Sequence, residues 1–562
     1  MWKIILNIKP KQLSRLIFSK GLEHTAKVVV GLIVVTIFLS GTFFLFQKIF
    51  SYLITVQDIG ILLIDRIIGI SFLAFFIMLT MSNLISAIGA LYRSPEASFL
   101  MASPLPHSQV FWVKFTDNIF YASWATLVIT IPAIVAYGFV FHISLSDYII
   151  IGFIVLPCFL IIPGILGAGL SMLVFPLAKR FGSKRILILF GALAIISILF
   201  FMRARFSRII FSAQGDLALL NYYLQDLATN ENQWLPSVWV AEILRAARLD
   251  HNGTLLFYIS LFLSTSAAML IFLDTAAKRL YYKAFLAASE ILSNKRKKGT
   301  NRGYYGLSWS VFRVFPRDMR SLLVKDIRLF LREPNQWTQF AILLVLVIFY
   351  LFNLRKVPLN VEGLYWRTLI SFVNYAFCGY ILATLSVRFV YPSISMEGKS
   401  FWSISSSPIR VKRLFWEKFW IAFILFFIIT EVVAVVSSAL LAQSRIMTLL
   451  TGLGIFLMSI SLTSLSTGLG SLFPSFVEPN PGKIASSGGG MICALVSLIY
   501  VALSTLALAF PTYHYMSFII GQSKDFPTAE IIIGALIILV LNLAATIIPL
   551  KLGLKAMERL EH

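Results

Sequence analysis

Long apolar runs succeed one another along this chain, each close to the length a helix needs to cross a bilayer. A hydrocarbon core about 30 Å thick takes roughly 20 apolar residues at a rise of about 1.5 Å each. Twelve stretches meet that requirement. In the first half they lie near Val28–Phe46, Ile67–Leu91, Asn118–Phe141, Ile149–Ala178, Ile186–Met202 and Leu255–Leu273. In the second they lie near Trp337–Leu354, Leu369–Val390, Phe415–Leu441, Leu449–Phe473, Ile484–Phe510 and Ile531–Leu550. With 58% hydrophobic and 13% charged residues and a mean hydropathy of +0.85, no water-soluble core can hide so much apolar surface. The chain is expected to be an all-α polytopic membrane protein.

One short signature occurs twice. PLPHSQVFWVKF runs from Pro104 to Phe115 and PIRVKRLFWEKF from Pro408 to Phe419, with proline, phenylalanine, tryptophan, lysine and phenylalanine at matching offsets. A second pair, Phe175-Pro176 and Phe473-Pro474, closes a later apolar run in each half. Short repeated loops between spans predict two parallel, pseudo-symmetric six-helix halves, a machine that receives force at two equivalent points on one side of the membrane. The expected organisation is a first half over 1–290, a linker over 291–310 and a second half over 311–562. The linker is marked by SNKRKKGTNRGYY, Ser293–Tyr305, whose basic run and glycines suit a flexible cytoplasmic tether.

Lysine and arginine set the orientation, since positive loops stay in the cytoplasm. With both termini inside, the inner segments hold 35 of the 48 basic residues. The net charge of +23 then reads as topology and attraction to anionic lipid headgroups, and nucleic acid is not expected as a partner. The opening MWKIILNIKPKQLSRLIFSK is too polar for a signal peptide and reads as an interfacial amphipathic helix; Phe315–Trp337 repeats that role ahead of the second half. Multi-pass insertion in a bacterial cytoplasmic membrane follows.

The absences narrow the chemistry. Cys158, Cys378 and Cys493 all fall inside apolar runs and suit packing rather than a disulfide or zinc site. No G-x-x-x-x-G-K-[ST] string occurs; Pro481-Gly482-Lys483-Ile484 is the nearest and lacks the upstream glycine and the magnesium-binding hydroxyl. No histidine pair or deep acidic pair suggests a metal site or proton relay. The chain is therefore expected not to be an enzyme.

Four elements carry a family resemblance: LYRSPEASFLMASPLP (Leu91–Pro106), VKDIRLFLREPNQW (Val324–Trp337), YPSISMEGKSFWSISSSPI (Tyr391–Ile409) and FPSFVEPNPGKIASSGGGM (Phe473–Met491). In order and through both halves, they resemble the permease subunits of bacterial ABC-2-type exporters, in the duplicated ABC exporter branch. The resemblance implies an elbow helix before each first span and a coupling helix between spans two and three. It also implies a chain without its own cofactor, with ATP and Mg held by two copies of a separate cytoplasmic ABC ATPase, exporting an unidentified small molecule, lipid or peptide. An ion-coupled secondary transporter with parallel repeats is the alternative.

The expected ATPase-coupling residues are Glu96, Pro104, Glu397, Lys399, Pro408, Arg410, Lys412 and Arg413. Pro104 and Pro408 break helical geometry just before the next span, and Phe111-Trp112 and Phe415-Trp416 would anchor that span at the interface. Glu96 and Glu397 either meet an arginine on the ATPase or balance neighbours such as Arg93 or Lys399. Glu431, inside a span, either lies on the substrate path or makes a structural hydrogen bond. Asp65-Arg66 reads as a local ion pair. The outer segment Arg203–Asn252 forms a gate or caps the bundle.

Overall fold

A computed structural model describes residues 22–55, 60–92, 94–181, 234–297, 317–332, 364–401, 411–441, 445–476, 480–519 and 526–559, with scattered positions at 340–354, 406, 443 and 478. Those residues are almost all helical, without strands, and ten of the helices are long and apolar enough to cross a membrane. The ten coincide with ten of the twelve runs expected; Ile186–Met202 lies outside the described residues and Trp337–Leu354 lies mostly outside them. The described residues fall into two compact units, one within Thr36–Thr300 and one within Asn301–His562 together with Leu22–Val35.

The first unit begins with α1 (Leu22–Thr55), which starts in the other unit, and continues with α2 (Gly60–Tyr92), α3 (Pro95–Met101) and α4 (His107–Phe141). Then come α5 (Leu145–Ile150), a π turn over Ile151–Val155 and α6 (Leu156–Phe181). The unit closes with α7 (Pro236–Arg248), α8 (Asn252–Ala276), a second π turn over Ala277–Tyr281 and α9 (Tyr282–Lys297). Short α3 is held by its first residues. Ser94 accepts a hydrogen bond from the Ala97 amide at 3.1 Å, and Pro95 supplies a preset φ at the first helical position.

The second unit is built from α10 (Arg317–Arg332), α11 (Leu364–Leu385), a π turn over Ser386–Val390, 3₁₀ turns over Tyr391–Ser393 and Ser395–Ser400, and α12 (Val411–Leu440). After them come α13 (Arg445–Leu472), α14 (Pro481–Ala485), α15 (Gly488–Ile519) and α16 (Thr528–Arg559). Helix α10 is amphipathic as expected, burying Leu322, Leu323 and Val324.

Without a hydrophobic force between helices in lipid, close packing and polar contacts hold such bundles together. Helices α13 and α16 meet backbone to backbone: a Cβ on Gly468 would stand 2.3 Å from the Pro549 carbonyl oxygen, and one on Gly553 would stand 2.8 Å from the Gly468 Cα. Beside that seam, the Asn542 Oδ1 accepts from Ser461 at 3.0 Å and from the Tyr500 hydroxyl at 2.6 Å. All three cysteines are free and buried.

Among the described residues, the partner of Asp65 comes from a distant helix. Asp65 accepts two hydrogen bonds from Arg248 of α7, at 2.7 and 2.9 Å, because the planar guanidinium matches a carboxylate. Burial works against the Arg248 charge, but the bonds to Asp65 and the neighbouring Tyr137 outweigh it, so Arg248 holds its proton more tightly than a free arginine.

Candidate functional site

The twice-occurring signature folds in the same way in both units. Phe111, Lys114 and Phe115 sit at i, i+3 and i+4 at the start of α4, and Phe415, Lys418 and Phe419 do so at the start of α12, so each trio shares one helix side. That side faces inward. Phe111 and Phe415 are wholly buried, and the two lysines are only 4% and 8% exposed. The phenylalanines therefore fill the cores and do not serve as interface anchors; only the tryptophans remain half-buried at the edge, Trp112 donating to Asp274 at 2.8 Å.

A buried ammonium must find a carboxylate. In the first unit the Lys114 Nζ donates to Glu96, in the first turn of α3, and approaches Asp117 at 4.0 Å. In the second, the Lys418 Nζ lies 2.7 Å from Glu397 and also donates to Asp326 of α10. Lys325 adds a two-pronged contact to Glu397, at 2.6 and 2.7 Å. Gly398 follows Glu397 with φ +55°, a backbone conformation that glycine adopts without strain and that redirects the chain there. Each motif lysine thus ties the segment before its helix to the helix itself.

The two joints differ in solvation. The Glu96 side chain is 65% exposed whereas that of Glu397 is 5% exposed. Glu417, next to Lys418, has no exposed surface, and neither of its carboxylate oxygens has a hydrogen-bond partner among the described residues. The matching position in the first unit is Val113.

The other expected residues scatter around these joints. Pro104 is exposed between α3 and α4, and Lys412 and Arg413 are exposed at the start of α12, where Lys412 pairs with Glu558 at 2.6 Å. The backbone of Lys399 lies in the 3₁₀ turn, and Pro408 and Arg410 fall outside the described residues. Glu431 is half-buried in α12 against Gly452, where a Cβ would come within 2.6 Å of its Oε1. Sequence reasoning weighed Arg93 and Lys399 as local partners of the two glutamates, while the partners seen are Lys114, Lys418 and Lys325. The recurring lysine was visible as a signal; its role as the anchor was not.

Comparison with family models matches residues 21–562 to one described as "Putative ATP-binding cassette". Comparison with curated proteins and with solved structures gives no match. The family match overturns several expectations together: that the chain is an ABC-2-type permease subunit, that it has no part in ATP chemistry, and that ATP and Mg belong to a partner only. Those expectations rested on loop motifs, which report how spans are connected rather than where nucleotide binds, and on one missing string.

A nucleotide triphosphate needs backbone amides wrapped around its phosphates and a lysine free to reach them. Among the described residues, the nearest stretch to that pattern is Asn480–Ala485. There the Lys483 ammonium lies 2.6 Å from Glu478, and the Asn480 side chain already accepts from the Gly482 amide at 3.0 Å. These residues do not fit a triphosphate, and no step is drawn through one. Matched over all but its first twenty residues, the chain belongs to the family described as "Putative ATP-binding cassette".

Proposed function

We propose that this chain is a membrane-embedded component of an ATP-binding-cassette transport system, and that movement enters it through the two lysine-bridged joints. The observation that carries this reading is the duplication of the joint. Two units with the same buried lysine, bound to a carboxylate from the preceding segment, have equivalent rigid handles through which a displaced loop tilts the helix behind it. Family membership and the ten membrane-length helices support it further.

In this reading the joints lie on the cytoplasmic side, where the basic loops of the sequence gather. Pro104 in the first unit and Lys412 and Arg413 in the second form the exposed edge at which ATP-driven movement enters. Glu96 and Glu397 hold the handles rigid from within. The test uses the full-length protein in lipid nanodiscs with an environment-sensitive probe on Ala102→Cys, an exposed position on the first handle. A probe response to Mg·ATP, in the purified protein or in native membranes, is expected. No response in either preparation would overturn the proposal.

A further inference from the structure

The second joint contains a group that the first lacks. Glu417 is fully buried with both oxygens unpartnered among the described residues, in a place where the repeat otherwise carries valine. The charged groups acting on it come from three elements: Lys418 on its own helix, Lys325 and Asp326 on α10, and Glu397 in the 3₁₀ turn; Arg413 on its own helix is exposed, and Arg320 and Arg328 of α10 have contacts of their own that reach neither Glu417 oxygen. The ammonium groups are already committed. Lys418 serves Asp326 and Glu397, and Lys325 serves Glu397 while standing 3.3 Å from Asp326.

Among the described residues, the other elements packed on α12 place no cation against Glu417. Helix α13 has only Arg445, at its first residue. On α16, Glu558 is engaged by Lys412, while Lys551, Lys555 and Arg559 are exposed. Arg388 is on the exposed side of its π turn. The only charged residue of α11, Arg367, sits near the helix start, away from the π turn that leads to the joint. Three carboxylates therefore share two ammonium groups. An unneutralised carboxylate with no donor is among the costliest groups to bury, and it sheds that cost by taking up a proton.

We propose that the ion cluster of the second unit is a proton-binding site, and that Glu417 carries the proton as a neutral carboxylic acid. The exchange balances simply: one proton from bulk water joins the Glu417 carboxylate, and the cluster of Asp326, Glu397, Glu417, Lys325 and Lys418 becomes neutral. Losing the proton leaves one surplus negative charge that competes for Lys418 and loosens its hold on α10. The first joint, with Val113, has no such ligand. One side of the duplicated pair is thereby sensitive to protons and the other is not.

The experiment compares purified full-length wild type with Glu417→Gln and Glu417→Val by thermal unfolding between pH 6 and 9. A folded protein that binds one more proton than its unfolded chain, whose free glutamates titrate near 4.3, loses stability as pH rises. The folding constant should fall by about tenfold per pH unit relative to either variant while the extra proton is held. Wild type should also show a protonated-carboxyl infrared band that Glu417→Gln removes. A stability difference independent of pH, or no band lost in Glu417→Gln, would overturn the proposal. So would failure of Glu417→Gln to fold, since a neutral carboxamide should replace a neutral acid of the same shape.

Discussion

Replacing the motif lysine in each unit separates a buried ion cluster from a solvated ion pair of the same sequence origin. Lys418→Met keeps most of the apolar stem but removes one of two ammonium groups serving Asp326 and Glu397. Glu397 stays 5% exposed and cannot recover its hydration. Breaking a buried pair by removing one partner costs roughly 3–5 kcal/mol. Lys114→Met takes the ammonium away from Glu96, but that carboxylate is 65% exposed and stays hydrated, so the loss should be about 1 kcal/mol or less. For a unit of this size, a drop in melting temperature on the order of 10 °C is expected for Lys418→Met and of about 2–4 °C for Lys114→Met. Glu397→Gln in the Lys418→Met background should restore much of the loss, because with Lys325 alone left it removes the surplus negative charge. Thermal unfolding of the purified proteins in one detergent, at matched pH, reads all four. Equal losses from the two lysines, or no recovery in the double variant, would show that burial of the second cluster does not govern its energetics.

Two further substitutions probe features away from the joints. Gly468→Ala places a methyl 2.3 Å from the Pro549 carbonyl oxygen, so α13 and α16 must separate; a loss of about 1–3 kcal/mol is expected in thermal unfolding, and unchanged stability would mean that the seam is not close-packed. Asp65→Asn breaks the two-pronged bond to Arg248, whose side chain is 10% exposed, and should cost roughly 1.5–3 kcal/mol; an Arg248→Lys variant should recover little with the native Asp65, since an ammonium cannot reproduce the fork.

The sequence by itself determined the class and most of the spans. Runs of twenty apolar residues have few alternatives to a membrane helix, so ten of twelve were placed from hydropathy alone, and the amphipathic Arg317–Arg332 was legible from its period. The repeat was visible too, down to the lysine offset between Lys114 and Lys418. What the repeat does was not legible, because an ion pair is decided by which elements approach in space. Glu96 lies 18 residues from Lys114, and Asp326 lies 92 residues from Lys418. Only the tertiary structure gave the two glutamates internal partners where the sequence left an outward and a local contact open, joined Asp65 to Arg248, and buried Glu417. Burial and pairing are properties of packing, and a charge in a sequence string carries neither.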